Sequence, residues 1–255
     1  MHAPTWRINN RTAQLRTVGL AAELSLAQTA HGLSQVVAGG VRWEAVGLLG
    51  LTTASDGQGE TTTEPFEGYA RGDDLVLACE ARQNPSMHVD ALWRVVTPEP
   101  GEKFMVAIDL IVSVRMTQTD ARPELAVQST LPACETLQLG PGASLRSRPW
   151  SLTPMGASAI RPEQGAGCLL FHQPGFPLSY AEMAHPADVC HDQWLPRAPD
   201  GEGSRLIHRL FGDTLEKGVL LRGRVRGVFV PRIDDARLAA ECYAAFADSE
   251  PLLGT

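Results

Sequence analysis

The run Met105, Val106, Ala107, Ile108, Asp109, Leu110, Ile111, Val112, Ser113, Val114, Arg115, Met116, Thr117 decides the fold class. Val106, Ile108, Leu110, Val112, Val114 and Met116 recur at every second position. Asp109, Ser113, Arg115 and Thr117 stand on the opposite phase. Successive side chains of a strand point to opposite faces, so this period predicts a long strand with one apolar and one polar face. The run Gly218 to Val230 reads the same way. Val219, Leu221, Val225 and Phe229 alternate with Leu220, Arg222, Arg224, Arg226 and Val228. Gly223 and Gly227 fall on its apolar side, where a bulge or the close approach of another backbone is expected.

Outward from these two runs, further strands are predicted over Gln14–Gly19, Glu23–Gln28, Val41–Leu51, Leu75–Arg82, Leu92–Val96, Glu124–Leu131, Cys168–His172 and Ser204–Leu210. Gly, Pro and polar clusters such as Ser55–Gly59 and Thr97–Gly101 separate them. Helices do not alternate with strands, which argues against a parallel α/β sheet. One helix is predicted, Asp235 to Ala247, with Leu238, Cys242, Ala245 and Phe246 as its apolar stripe. Asp234 or Asp235 is its cap, Pro251 its stop, and a sheet face or edge its packing partner. The Pro-, Gly- and Ser-rich stretch from Gly140 to Gln164 reads as a long excursion within one domain spanning 1–255. The fold class is therefore mostly β.

The chain has 255 residues, a formal net charge of -7 and 44% hydrophobic residues. The acidic balance argues against a nucleic-acid partner. No apolar run is long enough to cross a bilayer, and residues 1–7 lack a signal-peptide core, so the expected address is the cytoplasm. Cys79, Cys134, Cys168, Cys190 and Cys242 are odd in number with no CxxC spacing, which predicts buried free thiols. The Asn10-Arg11-Thr12 and Arg71-Gly72-Asp73 triplets carry no meaning in that setting. A P-loop, a complete dinucleotide turn, a GxSxG elbow and an HExxH pair are all missing, and no cofactor is expected.

Three groups of residues carry possible chemistry. Arg222, Arg224 and Arg226 stand at spacing two, about 7 Å apart along a strand. Planar guanidinium forks so concentrated call for carboxylate partners or an anionic ligand. With Asp109, Ser113 and Arg115 they form a polar sheet face, either solvated or lining a groove. Phe171 to Trp194 reads as a loop-rich passage dense in able side chains: His172, Tyr180, Glu182, His185, Asp188, His191, Asp192 and Trp194. Its histidines suit proton transfer. His185, Asp188 and His191 fit no established metal spacing, so no metal is assigned. The third group, His208 with Asp213, Glu216 and Lys217, precedes the arginine strand, and Glu216 is placed to reach over a groove lined by Arg222.

Taken in order, the strand region Trp6 to Gln28, the charged turn before Asp74-Leu75-Val76-Leu77, the strand Ile108 to Ser113 and the segment Leu215-Glu216-Lys217-Gly218-Val219-Leu220 resemble the galactose mutarotase-like superfamily. The resemblance spans about residues 6 to 232. It implies a supersandwich of two large antiparallel sheets with the helix appended, holding a sugar in a groove on one concave face. In aldose epimerases of that superfamily a carboxylate takes the anomeric hydroxyl proton while a histidine protonates the ring oxygen. The epimerase Asn-His pair is missing here. Glu216 is the best match to the late carboxylate, and no histidine is assigned by position.

Three functions follow as alternatives. In the first, an epimerase-like enzyme uses Glu216 as base and His185 or His172 as acid. Arg71, Asp109 and Arg222 hold hydroxyls, and Trp93 or Trp194 stacks on the sugar. The second is a binding module taking a sugar or an acidic metabolite on the face of Arg222 and Arg224. The third is an oligomeric structural protein.

Overall fold

In the computed structural model, which describes residues 5–53, 61–62, 64–80, 87–99, 101–119, 125–132, 134–140, 149–153, 156, 158–161, 167–196 and 203–250, the alternating run around Asp109 is a strand. The chain opens with β1 (Trp6–Asn9), β2 (Thr12–Thr17), β3 (Leu20–Ser25), a 3-10 turn (Thr29–His31), β4 (Leu33–Ala38), β5 (Val41–Arg42), β6 (Gly47–Thr53) and β7 (Thr61–Thr62). A meander follows: β8 (Glu64–Arg71), β9 (Asp74–Glu80), β10 (Met87–Val96) and β11 (Val106–Met116). Then come β12 (Leu125–Leu131), β13 (Glu135–Leu139), β14 (Trp150–Leu152), β15 (Ser158–Ile160), β16 (Cys168–His172) and β17 (Leu178–Ala184). β18 (Val189–Leu195), β19 (Ser204–Leu210), β20 (Leu220–Pro231) and the helix α1 (Asp235–Ala247) complete it.

These strands form two sheets. One runs β1-β2-β3-β4-β6-β12-β19-β18-β15, with β5 and β7 beside β4 and β6; the other runs β14-β13-β16-β17-β20-β11-β10-β9-β8. Every pairing among the described residues is antiparallel. The excursion after Gly140 supplies β14 to one sheet and β15 to the other.

The main core lies between the sheets. Leu15, Leu24, Leu33, Leu51 and Leu206 come from the eleven-stranded sheet; Leu77, Trp93, Leu110, Val112, Val225 and Phe229 come from the nine-stranded one. Each such side chain contributes about 1.5–3 kcal/mol on burial. A second core lies on the other face of the nine-stranded sheet. There Cys168, Leu170, Ala181, Met183, Val228 and Val230 are covered by Leu238, Tyr243 and Phe246 of α1. The helix therefore packs on a sheet face. Asp234 is left-handed (φ 62°) and makes no side-chain cap. Asp235 instead accepts a 2.7 Å hydrogen bond from the Ala236 N–H. Pro251 lies outside the described residues.

Several sequence expectations are corrected. Phe171–Trp194 is not a loop-rich passage: it holds the end of β16, all of β17 and most of β18. β17 is buried at all seven positions because the opposite sheet covers one side and α1 the other, so it has no alternation to read. Val41–Leu51 breaks into β5 and β6 around Trp43–Val46. Gly227 and Gly223 make room for aromatic side chains rather than for backbone. A Cβ on Gly227 would fall 2.3 Å from the Tyr180 hydroxyl, and one on Gly223 would fall 3.1 Å from the Phe211 ring.

Candidate functional site

Strand register assembles the outer face of the nine-stranded sheet into rows. Residues opposite one another in antiparallel strands share a face, with Cα atoms about 4.5–5.5 Å apart. One row reads Arg71, Asp74, Arg94, Asp109, Arg226 across β8, β9, β10, β11 and β20, with the charge alternating at each step. Arg94 donates two 2.8 Å hydrogen bonds to Asp74. Arg226 clamps Asp109 at 2.6 and 2.9 Å. Burial acts to lower the Arg226 pKa, but the hydrogen bond and charge of Asp109 outweigh it and the guanidinium is held above its ordinary value. The Asp74 hydrogen bond raises that of Arg94.

The next row is Tyr69, Val76, Leu92, Ile111, Arg224. Tyr69 is 55% exposed and the three aliphatic side chains are half-buried, so this row is an apolar strip open to solvent. Beyond it runs Glu67, Ala78, Asp90, Ser113, Arg222, and beyond that His88 and Arg115. Glu67, His88, Asp90, Arg115 and Arg222 are exposed. Rows on one face are two residues apart, about 7 Å. An apolar strip with an aromatic at one end is thus bordered by ionic groups.

At the β20 end of the strip, the last turn of α1 closes over a compact cluster. Arg224 is 9% exposed. Its guanidinium lies 4.4 Å from the Phe246 ring centre, and Nη2 donates to the Ser249 hydroxyl. Its Nε is buried without a hydrogen-bond partner among the described residues. Burial lowers the Arg224 pKa. Beside it His185 stands edge-on to Phe246 and donates from Nε2 to the Ser249 carbonyl at 3.3 Å. Its Nδ1 accepts from the Ala187 N–H at 3.3 Å, so both ring nitrogens are held by backbone. Asp188 accepts the Arg224 backbone N–H at 3.0 Å, and burial raises its pKa.

A separate cluster anchors the start of α1. His172 Nδ1 meets Glu135 at 2.9 Å, and its Nε2 lies 3.0 Å from Asp235. Asp235 also accepts from Ser179 and from Arg232.

A third constellation, invisible as such in the sequence, crosses the core. His208 on β19 sits 2.6 Å from Asp192 on β18 and 3.2 Å from Glu182 on β17 of the opposite sheet. Glu182 accepts from the Tyr180 hydroxyl and from Ser129, both at 2.5 Å. Ser129 in turn accepts the Leu49 N–H at 2.8 Å, where β6 and β12 shift register and Leu49 is left-handed. His208 and Glu182 are 0% exposed and Asp192 2%. Burial acts to lower the His208 pKa, but the charge and hydrogen bond of Asp192, with Glu182, push it up to about 10. A protonated imidazole is therefore sealed between two carboxylates.

The structure brings Arg71, Asp109, Arg222 and Arg224 onto one face, with His185 at its helix-covered margin. The other candidates stand elsewhere. Trp93 and Trp194, 0% and 2% exposed, lie in the inter-sheet core with no face for a sugar, and the Trp93 indole donates to the Leu49 carbonyl. Glu216 is exposed in the turn before β20, whereas His172 lies level with the far end of that strand, beside Ser179 and Arg232. Twelve residues of strand separate these ends, roughly 40 Å at about 3.3 Å per residue. His185 and Asp188 approach to 3.8 Å, while His191 pairs with Arg209 on the other sheet. Among the described residues no group of three His, Cys, Asp or Glu could hold a metal ion. No helix there is long and apolar enough to cross a membrane.

No family model matches the chain, and no curated protein matches it. Solved structures do. One, described as a "putative aldose 1-epimerase from Klebsiella pneumoniae subsp. pneumoniae MGH 78578", superposes with a TM-score of 0.51 at 11% identity, covering 96% of this chain and 87% of that one. A heparinase III superposes with a TM-score of 0.50 at 10% identity, covering 92% of this chain and 37% of that one. Likeness at such identity establishes the fold alone, a mostly β sandwich of two large antiparallel sheets.

Proposed function

We propose that the protein binds an acidic saccharide on the outer face of the nine-stranded sheet, without chemistry at an anomeric centre. The supporting observation is the register that sets the open strip Tyr69–Val76–Leu92–Ile111 beside the ionic row ending in Arg222. A pyranose has an apolar face of C–H groups and a rim of hydroxyls. The strip meets the first, Tyr69 supplies an aromatic surface, and Asp90 and Ser113 meet the second. Arg115 offers a planar fork to a uronate carboxylate, and Arg222 on the adjacent strand adds positive charge beside it. That the same scaffold is found in a heparinase III and in a protein described as a "putative aldose 1-epimerase" fits a carbohydrate ligand.

This reading leaves Glu216 and the two histidines without a shared proton-transfer role. General acid and base must each lie within about 3 Å of the atoms they serve. Glu216 and His172 stand at opposite ends of β20, and both nitrogens of His185 are held by backbone groups.

Calorimetric titration with an oligogalacturonide and with maltotriose tests the proposal. Acidic oligomer is expected to bind, and Tyr69→Ala and Arg222→Ala each to weaken it by about tenfold, equivalent to about 1.4 kcal/mol. Unchanged affinity in both variants would overturn it. Polarimetry on freshly dissolved galacturonate is expected to show the buffer rate with wild type and with Glu216→Gln alike. Acceleration abolished by Glu216→Gln would restore the enzyme reading.

A further inference from the structure

We propose that the C-terminal end of α1 and the turn after it, Phe246 to Ser249, occupy a carboxylate subsite at the end of the platform, and that an acidic saccharide binds there by displacing them. This rests on the platform reading above and names how part of that surface is controlled. Arg224 closes the apolar strip in register: Tyr69, Val76, Leu92 and Ile111 lead across four strands to its guanidinium. An arginine so placed would be the natural anchor for an anionic group on a sugar lying along the strip. Yet it is nine-tenths buried.

What buries it is the end of α1, and the contacts made there are those a ligand would make. The Ser249 hydroxyl accepts from Nη2, where a carboxylate oxygen would sit. The Ser249 carbonyl accepts from His185 Nε2. The Cζ atoms of Arg224 and Arg226 lie over the Phe246 ring, 4.4 and 4.9 Å from its centre. The two neighbouring carboxylates do not satisfy Arg224. Asp109 is engaged by Arg226, and Asp188 takes the Arg224 backbone N–H. Arg224 Nε has no hydrogen-bond partner among the described residues. A buried guanidinium with a neutral hydroxyl in place of an anion, and one N–H left over, is a receptor held by a weak substitute.

The helix is fastened unequally. Its first turn is tied by Asp235 to Ser179, Arg232 and His172. Its end meets the sheet through the Ser249 contacts and through Phe246, which lies over the two arginines at the rim of the second core. In the lifted form the end carries Phe246 off the arginines while Leu238, Ala239 and Tyr243 stay packed.

A ligand that must displace a resident group binds more weakly by the fraction of molecules already open. Removing the resident side chains therefore raises affinity for a carboxylate-bearing ligand and leaves a neutral one unchanged. Binding of D-glucuronate and of D-glucose is measured for wild type, Ser249→Ala and Phe246→Ala/Ser249→Ala. Ser249→Ala removes only a half-buried hydroxyl, so it retains the fold even where the double variant does not. The inference expects D-glucuronate to bind at least about threefold tighter to Ser249→Ala and about tenfold tighter to the double variant. D-glucose should be unaffected, and the gain should be lost when Arg224→Gln is added. Amide exchange in residues 246–250 should quicken when D-glucuronate is added to wild type. Equal affinity in all three proteins, or exchange that slows, overturns it. Tyr69→Ala and Arg222→Ala separate the two ideas. If neither weakens D-glucuronate binding but the Arg224-dependent gain persists, the platform reading fails and the subsite stands. If both weaken it and no gain appears, the reverse holds.

Discussion

Replacing His208 with Gln takes one cation from between two buried carboxylates. Asp192 at 2.6 Å and Glu182 at 3.2 Å are 2% and 0% exposed, so neither gains water when the imidazolium goes. Breaking a buried pair from one side costs about 3–5 kcal/mol. That is a third or more of the roughly 5–15 kcal/mol that holds a domain folded. The contribution is pH-dependent with a definite sign. The folded-state pKa of about 10 lies above the ordinary 6.5, so the folded protein binds the extra proton. The stabilisation is complete below pH 6.5 and is lost as pH rises through about 10, at up to about 1.4 kcal/mol per pH unit between them. Urea unfolding of wild type and His208→Gln across that interval measures the gap, which should be widest at pH 6.5 and close toward pH 10. The charge-free Glu182→Gln/Asp192→Asn/His208→Gln should be more stable than the single variant, because no uncompensated charge remains. A single-variant loss below about 1 kcal/mol, or a gap that stays constant with pH, would refute the sealed imidazolium.

Gly227→Ala places a Cβ 2.3 Å from a Tyr180 hydroxyl that Glu182 holds fixed. It should cost about 1–3 kcal/mol, read as a fall in Tm without a change in the urea m-value. Thiol labelling at pH 8 should modify Cys190 first, since it is exposed, and Cys190→Ser should remove the fast phase. Burial holds the Cys168 thiol well above its ordinary pKa and pushes Cys242 up to about 11, so both should react only on unfolding.

The strands that could be read in the sequence are those with one dry and one wet face. β11 and β20 alternate because their inner residues meet the opposite sheet while Ser113, Arg115 and Arg222 meet solvent. β17 was missed for the converse reason: covered on both sides, it spells Leu-Ser-Tyr-Ala-Glu-Met-Ala without a period. α1 was found at its observed limits because its stripe packs against one sheet face. The arginine face was visible as a spacing. Which residues stand beside it was not, since Tyr69, Val76, Leu92 and Ile111 come into line only through the register of strands far apart in sequence. Glu182, Asp192 and His208 stood out as able side chains but in two separate groups, because their partnership needs two sheets to face each other. Trp93 and Trp194 were expected at a groove, but their size serves the interior.

β20 lies in the middle of its sheet, between β17 and β11, yet follows every other strand in the chain. During synthesis the β8–β11 meander and the group of β13, β14, β16 and β17 therefore emerge as two half-sheets whose bare margins face one another across a gap. Each margin offers a row of unsatisfied amides to any passing extended peptide. Insertion of β20 closes both at once and brings α1 down behind it. Ribosome stalling or proteolysis just ahead of residue 220 would leave a species far more prone to aggregate than loss of an edge strand would produce, and a chaperone that guards this chain has most to do in that interval.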